Sequence, residues 1–284
     1  MRPLLTIITK ITLLGLITSC GVEAGNPDSS EEKPAKFSLK LTETPTTGLN
    51  NFYIDVKSIT IGDSQTITFD DVTTIDVLTL GNGQTTTVVD QIDIAAGGLA
   101  KIVVGLADTE HPVRAVSSEN VQQKVVVLKD GEKTNSLEFT GGMNLGSDQN
   151  VTAIVDIDLR YTLSNLDETT RDQYNVESDV IYALNHKHTF FQDSSRAMVR
   201  FSQKTSGELL CITEATRYTA SNLPQECVPN GTDIIKGVFA DAEGNAVVIS
   251  VPNGDYDVWG IMGGSVTSYR QNIQMNGGDT ITVD

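Results

Sequence analysis

Val151-Thr152-Ala153-Ile154-Val155-Asp156-Ile157-Asp158-Leu159 constrains this chain more than any other stretch. Every odd-numbered position is apolar, and side chains that share a face at every second residue belong to a β-strand. A strand with one apolar face cannot stand alone, so it demands a second layer to cover it. Asp156 and Asp158 share the other face with Thr152. Their charges repel there unless water or a cation stands between them.

The same period runs through the rest of the chain. Phe37-Ser38-Leu39-Lys40-Leu41 alternates, as do Phe52, Ile54 and Val56. The phase then slips by one at Ser58-Ile59-Thr60-Ile61, which predicts a β-bulge, since otherwise Ile59 and Ile61 would turn to solvent. Ile75 to Leu80 reads as a strand ending in the turn Gly81-Asn82-Gly83. Lys101 to Leu106 is more uniformly apolar, as a central strand would be. Val125 to Leu128 leads into Lys129-Asp130-Gly131-Glu132, where Asp-Gly signals a hairpin. Ser164-Asn165-Leu166-Asp167-Glu168 offers the one credible helix start, with Ser164 as the cap. Phe190 to Arg196 reads as a linker into a second run of strands, from Ala197 to Asp284. The prevalence of Thr, Val, Ile and Gly points the same way. The expected fold is all-β, with two β-sandwich domains of immunoglobulin-like or prealbumin-like type, at 37–190 and 197–284.

The N-terminal segment has a different logic. Arg2 and Lys10 precede the apolar run Ile11 to Ile17, far short of the roughly 20 residues that span a bilayer. It has the layout of a secretory signal peptide, residues 1–19. Leu16-Ile17-Thr18-Ser19-Cys20 looks like a lipobox, in which Cys20 takes a diacylglycerol and a fatty acid such as palmitate and becomes the first residue. The plainer alternative is an ordinary cleaved signal with a chance cysteine. Gly21 follows instead of the Asp that enterobacterial sorting reads as inner-membrane retention, so the expectation is an outer-membrane lipoprotein of the bacterial cell envelope. Residues 20–36 carry almost nothing bulky to bury and read as a flexible tether.

Charge excludes one class of partner. The chain has 20 basic and 37 acidic side chains, net −17, and loss of residues 1–19 removes two bases and no acid. Such a field repels nucleic acid. It suits a cation or a basic partner, or simply a soluble secreted surface.

Leu41-Thr42-Glu43-Thr44-Pro45, Phe52 to Ile59, Asp76-Val77-Leu78 and Asp156-Ile157-Asp158 together resemble phrases of a known family of bacterial secreted lipoproteins, the domain of unknown function DUF4382. Leu41-Thr42-Glu43-Thr44-Pro45 is similar to its opening phrase, and Phe52 to Ile59 to the strand that follows. Asp76-Val77-Leu78 with Asn82-Gly83, and Asp156-Ile157-Asp158, match two further family strands. Gly98 to Val104 lacks the Tyr and Arg usual in the family, and Asn185 stands where Pro is common. The resemblance implies a β-sandwich over about 37–190 and brings no activity with it. Residues 232–284 are similar to the carboxypeptidase-regulatory-like or prealbumin-like sandwich, through Asp241-Ala242-Glu243-Gly244-Asn245, a strand, and Pro252-Asn253-Gly254-Asp255-Tyr256.

The candidate chemistry is sparse. With Cys20 lipidated, Cys211 and Cys227 remain as an even pair in an oxidising compartment, which predicts a disulfide. His186 and His188 would face one way on a strand, a spacing that suits a transition metal given a third ligand, or two exposed polar residues. Asp70 with Asp71, and Asp241 with Glu243, sit in oxygen-rich loops of the kind calcium prefers, or in plain acidic turns. Tyr256 and Trp259 could stack on sugar rings, although alternation puts them on opposite faces and Trp259 in the core. No Gly-x-Ser-x-Gly elbow, phosphate loop or dinucleotide fingerprint occurs. The expectation is a lipid-anchored, non-catalytic envelope or surface protein that binds a protein or glycan, with no nucleic-acid partner. Its rivals are an extracytoplasmic hydrolase with an unrecognised site and a purely structural spacer.

Overall fold

Alternation becomes strand along most of the chain. The computed structural model describes residues 33–44, 48–63, 65–81, 83–185, 188–215, 217–219, 221–223, 227 and 234–284. The signal segment, Cys20, the tether up to residue 32, Asn82 and His186 lie outside them. Lys33–Asp284 forms one compact unit.

The first thirteen strands are β1 (Ala35–Thr44), β2 (Leu49–Ile61), β3 (Gln65–Asp76), β4 (Thr86–Ile94), β5 (Gly97–Leu106), β6 (Val113–Ser117) and β7 (Gln122–Lys129), then β8 (Glu132–Lys133), β9 (Ser136–Leu145), β10 (Asn150–Asp158), β11 (Leu163–Asn165), β12 (Val180–Asn185) and β13 (His188–Gln192). They are hydrogen-bonded in the order β11-β12-β7-β6-β2-β5-β9-β13-β10-β1-β4, with β3 on β2 and β8 on β7. The inner faces meet on one core, where Phe37, Leu39, Phe52, Ile54, Ile102 and Phe139 are withdrawn from solvent.

The bulge lies where the phase slip put it. Both the β2–β3 and the β2–β5 registers shift between Val56 and Ser58, so Phe52, Ile54 and Val56 are buried before the shift and Ile59 and Ile61 after it. β5 is internal, between β2 and β9. Asp130 and Gly131 both take positive φ, 52° and 83°, and close the β7–β8 hairpin.

Three local expectations are corrected. Val77–Leu80 is a 3-10 turn, because the Asp76 carboxylate accepts from the Leu78 amide and caps it. Ser164 belongs to β11; the helix, α1 (Glu168–Tyr174), is capped three residues later by Asp167, whose side chain accepts from Thr170 N. Phe190 and Phe191 are buried residues of β13, paired with Val155 and Ile154 of β10, so the linker reading fails there.

Seven strands follow: β14 (Ala197–Phe201), β15 (Leu209–Glu214), β16 (Ile234–Phe239), β17 (Ala246–Val251), β18 (Gly254–Met262), β19 (Ser265–Met275) and β20 (Thr280–Val283). They form a three-stranded sheet, β17-β14-β20, and a four-stranded one, β16-β15-β18-β19. Val199, Phe201, Ile212, Val248, Val258 and Met275 fill the space between the two. The outer face of the four-stranded sheet carries a second cluster, with Cys211, Trp259 and Ile261 under Leu223 and Cys227. Both faces of β18 are therefore buried.

Candidate functional site

β10 carries the most unusual group of polar residues. Its odd face enters the large core as expected, but its even face is covered too: Ile154 is buried, and the Asp156 side chain is only 9% exposed. The cation that relieves Asp156 is Lys236 of β16, whose ammonium contacts Asp156 Oδ2 while 11% exposed. Glu43 of β1, itself buried, lines the same narrow cleft, together with Thr42, Val247 and Val248. The register explains the grouping. β1 runs parallel to β10 with Thr42 opposite Asp156 and Glu43 opposite Ile157, while β16 presents Lys236 from the four-stranded sheet. Burial pushes the Lys236 amine down to about 8, with the charge of Glu43 opposing the shift. The sequence left room for a cation at Asp156 but held no sign that Lys236, 80 residues away, would supply it.

The cysteine pair is as expected: Cys211 and Cys227 are disulfide-bonded, with Cα atoms 5.5 Å apart. The other candidates fall differently. His188 is buried on β13, its ring centroid 5.3 Å from that of Phe139, so it is a packed core residue and not half of an exposed pair. Asp70 and Asp71 are exposed residues inside β3, not in a loop. The carbonyls of Phe69 and Asp70 already accept from Lys57 Nζ, at 2.7 and 2.8 Å. Asp241 closes its own turn, Oδ1 accepting from Glu243 N at 3.1 Å and Asn245 N at 2.7 Å; Glu243 is exposed. Tyr256 and Trp259 are both buried, which removes them as sugar platforms.

Glu110, His111 and Glu177 are a group the sequence did not reveal, because Glu177 arrives from a distant turn. One ligand-type atom from each lies within 4.8 Å of the others, the only such trio among the described residues. Its donors suit zinc or a similar ion, one short of a closed tetrahedral set. Glu177 is already shared with Lys124, 3.0 Å away, so a metal there would compete with an ammonium.

A family model described as a domain of unknown function, DUF4382, matches residues 34–178. The chain belongs to the DUF4382 family. The match takes in β1 to α1 and stops before β12, so the family domain supplies Glu43, Asp156 and the Glu110-His111-Glu177 trio. Lys236 lies beyond it, and the Asp156–Lys236 pair ties the DUF4382 domain to the strands that follow. A comparison with curated proteins finds no match. Among solved structures, the chain is similar to a minor pilin of Streptococcus agalactiae at 12% identity, covering 87% of this chain and 93% of that one, with a TM-score of 0.21. A putative cell adhesion protein of Bacteroides ovatus matches at 8% identity, over 88% and 91%, with a TM-score of 0.20. The major pilin subunit of Bacillus cereus matches at 9%, over 88% and 69%, with a TM-score of 0.20. TM-scores of this size carry no functional argument for the DUF4382 chain.

Proposed function

We propose that the protein is a lipid-anchored component of the bacterial cell envelope that binds a protein or glycan without catalysing a reaction on it. The observation that carries this reading is Leu16-Ile17-Thr18-Ser19-Cys20 behind a short basic and apolar leader. The residues between Cys20 and β1 are mostly polar or small, a composition that suits a tether between anchor and body; Ala35 and Lys36, expected in that tether, already belong to β1. No helix among the described residues is long and apolar enough to cross a membrane. Two features of the body suit contact with a partner. The tip of the β18–β19 hairpin exposes Met262 and Val266, each about 40% accessible, around Gly263 and Gly264. β19 is also a sheet edge, able to accept a further strand.

The test is fatty-acid labelling and fractionation of the full chain beside Cys20→Ser. Labelled, membrane-associated wild type and an unlabelled, released variant support the anchor; a variant that stays labelled and membrane-bound overturns it. Saturable binding of the full chain to envelope extracts or isolated glycans separates a binder from a spacer.

A further inference from the structure

We propose that Lys236 and Asp156 are the two ends of an intramolecular isopeptide bond that the protein forms on itself, with Glu43 as the proton relay. The reading goes beyond the envelope role and is independent of it.

Three features of the cleft carry it. The ε-nitrogen of Lys236 contacts a carboxyl oxygen of Asp156, which sets the amine beside the carboxyl carbon it would attack. Both side chains are almost withdrawn from water, and Val247 and Val248 wall the cleft. A second buried carboxyl, Glu43, lines the same cleft from the strand paired with β10. An ordinary buried ion pair needs one acid for one amine. An amine, an acid and a second acid in a dry cleft are the groups that condensation of an amine with a carboxylic acid requires.

The protonation states favour the same step. An ammonium has no lone pair to donate, and an ionised carboxylate is a poor electrophile. Burial disfavours both charged forms, and it lowers the Lys236 amine to about 8. Transfer of the ammonium proton to Asp156 gives a neutral amine beside a neutral acid. The amine lone pair then forms the N–C bond at the Asp156 carboxyl carbon. Glu43 takes the proton that the nitrogen sheds and passes it to the departing oxygen. The C–O bond breaks, and that oxygen leaves as water. One ammonium and one carboxylate become one amide and one water; charge balances, Glu43 is regenerated, and nothing is oxidised or reduced. Amide formation between free molecules in water is unfavourable, but groups held in contact gain an effective concentration of roughly 10⁵ M or more. Exclusion of water also protects the product from hydrolysis. The bond would join β10 of the DUF4382 domain to β16 of the second set of strands, across 80 residues of chain.

The experiment is peptide mass spectrometry on the full-length protein purified from whole-cell lysate, reduced and digested with trypsin. The expected result is a branched peptide joining the Asp156 and Lys236 segments, lighter than the two separate peptides by one water. Lys236→Ala and Asp156→Ala should each release the two linear peptides. Glu43→Gln keeps both reacting groups, and should slow bond formation by about a hundredfold, in line with the loss of a proton-transfer group. Its fold is checked by circular dichroism. Linear peptides alone from folded wild-type protein, a water lost at some other pair of residues, or full-speed bond formation in a folded Glu43→Gln variant would each overturn the proposal. Because the decisive measurement is on the wild type, it does not depend on any variant folding.

Discussion

Asp55 and Arg114 form a two-pronged ion pair in the middle of the large sheet. Arg114 Nη2 donates to Asp55 Oδ1 at 3.1 Å, and Nη1 donates to Oδ2. The carboxylate also accepts from Thr74 Oγ1 at 2.7 Å, and the guanidinium lies over the Tyr53 ring, 5.8 Å from its centroid. β2, β3 and β6 are thus tied by side chains as well as by their ladders. Burial works to raise the Asp55 pKa, but the hydrogen bonds from Arg114 and Thr74 outweigh it and hold the carboxyl below its ordinary value.

That relationship has a pH signature. A carboxylate with a lowered folded-state pKa contributes its full stability above the ordinary carboxylate range and loses it as pH falls through the lowered value. Asp55→Asn should cost about 3 kcal/mol at neutral pH, because it leaves Arg114 charged and poorly matched. Urea unfolding should show the gap between variant and wild type narrowing as the solution is acidified below the ordinary carboxylate pKa. A gap that stays constant across that window would show that the charge on Asp55 contributes little.

The disulfide should act mainly on the second set of strands. Its ends are 16 residues apart, so the chain-entropy model assigns it about 3 kcal/mol. Cys211 pairs across from Trp259 in the β15–β18 register, and Tyr218 meets the indole edge-on with centroids 5.9 Å apart. The single tryptophan of the chain therefore reports on this cluster. Reduction, or the double change Cys211→Ser with Cys227→Ser, should lower the unfolding midpoint. It should also shift Trp259 emission to the red before the circular dichroism of the strands is lost. Loss of both signals together would mean that the cluster does not open separately.

Gly244 and Gly263 separate two reasons for a glycine. Both have positive φ, 77° and 56°. At Gly244 an added Cβ would lie 2.2 Å from the Lys204 carbonyl oxygen, whereas at Gly263 nothing stands within 4 Å. Gly263→Ala should cost only the left-handed backbone term, about 1–2 kcal/mol. Gly244→Ala adds a backbone collision and should cost clearly more, read as a larger fall in thermal midpoint. Equal losses would show that the turn at Asp241 yields freely.

Much of this architecture could be read from local pattern. The bulge in β2, the Asp130-Gly131 hairpin and the two faces of β18 each follow from residues adjacent in sequence, where a period of two or a positive-φ pair acts directly. The misreadings have a physical source as well. Val77–Leu80 is apolar enough for a strand, but the capping carboxylate of Asp76 competes with the sheet ladder and gains the Leu78 amide. Phe190 and Phe191 fall beside a polar run, and only their pairing with β10 shows that they are interior. The site was the least legible part. Asp156 announced an unmet charge, but β16 alone could not reveal where Lys236 would point, and the meeting of Glu110 and His111 with Glu177 depends on chain reversals that no short motif encodes.

Gly141 and Phe190 show how closely β9 and β13 approach, and they allow the corrected assignment of 190–192 to be tested. An added Cβ on Gly141 would lie 2.4 Å from the Phe190 carbonyl oxygen and 3.0 Å from two of its ring carbons. A linker would tolerate either residue being changed; an interior strand would not. Phe190→Ala should cost about 3–5 kcal/mol, as expected for a buried aromatic removed from a packed core. Gly141→Ala should also destabilise, because the carbonyl it strikes belongs to backbone and cannot swing aside. Adding Phe190→Ala removes the ring but not that oxygen, so the double variant should recover little of the loss caused by Gly141→Ala. Equilibrium unfolding of the two single variants and the double variant measures the coupling. Near-complete recovery in the double variant would mean that the ring alone makes the contact and that β13 can move away from β9.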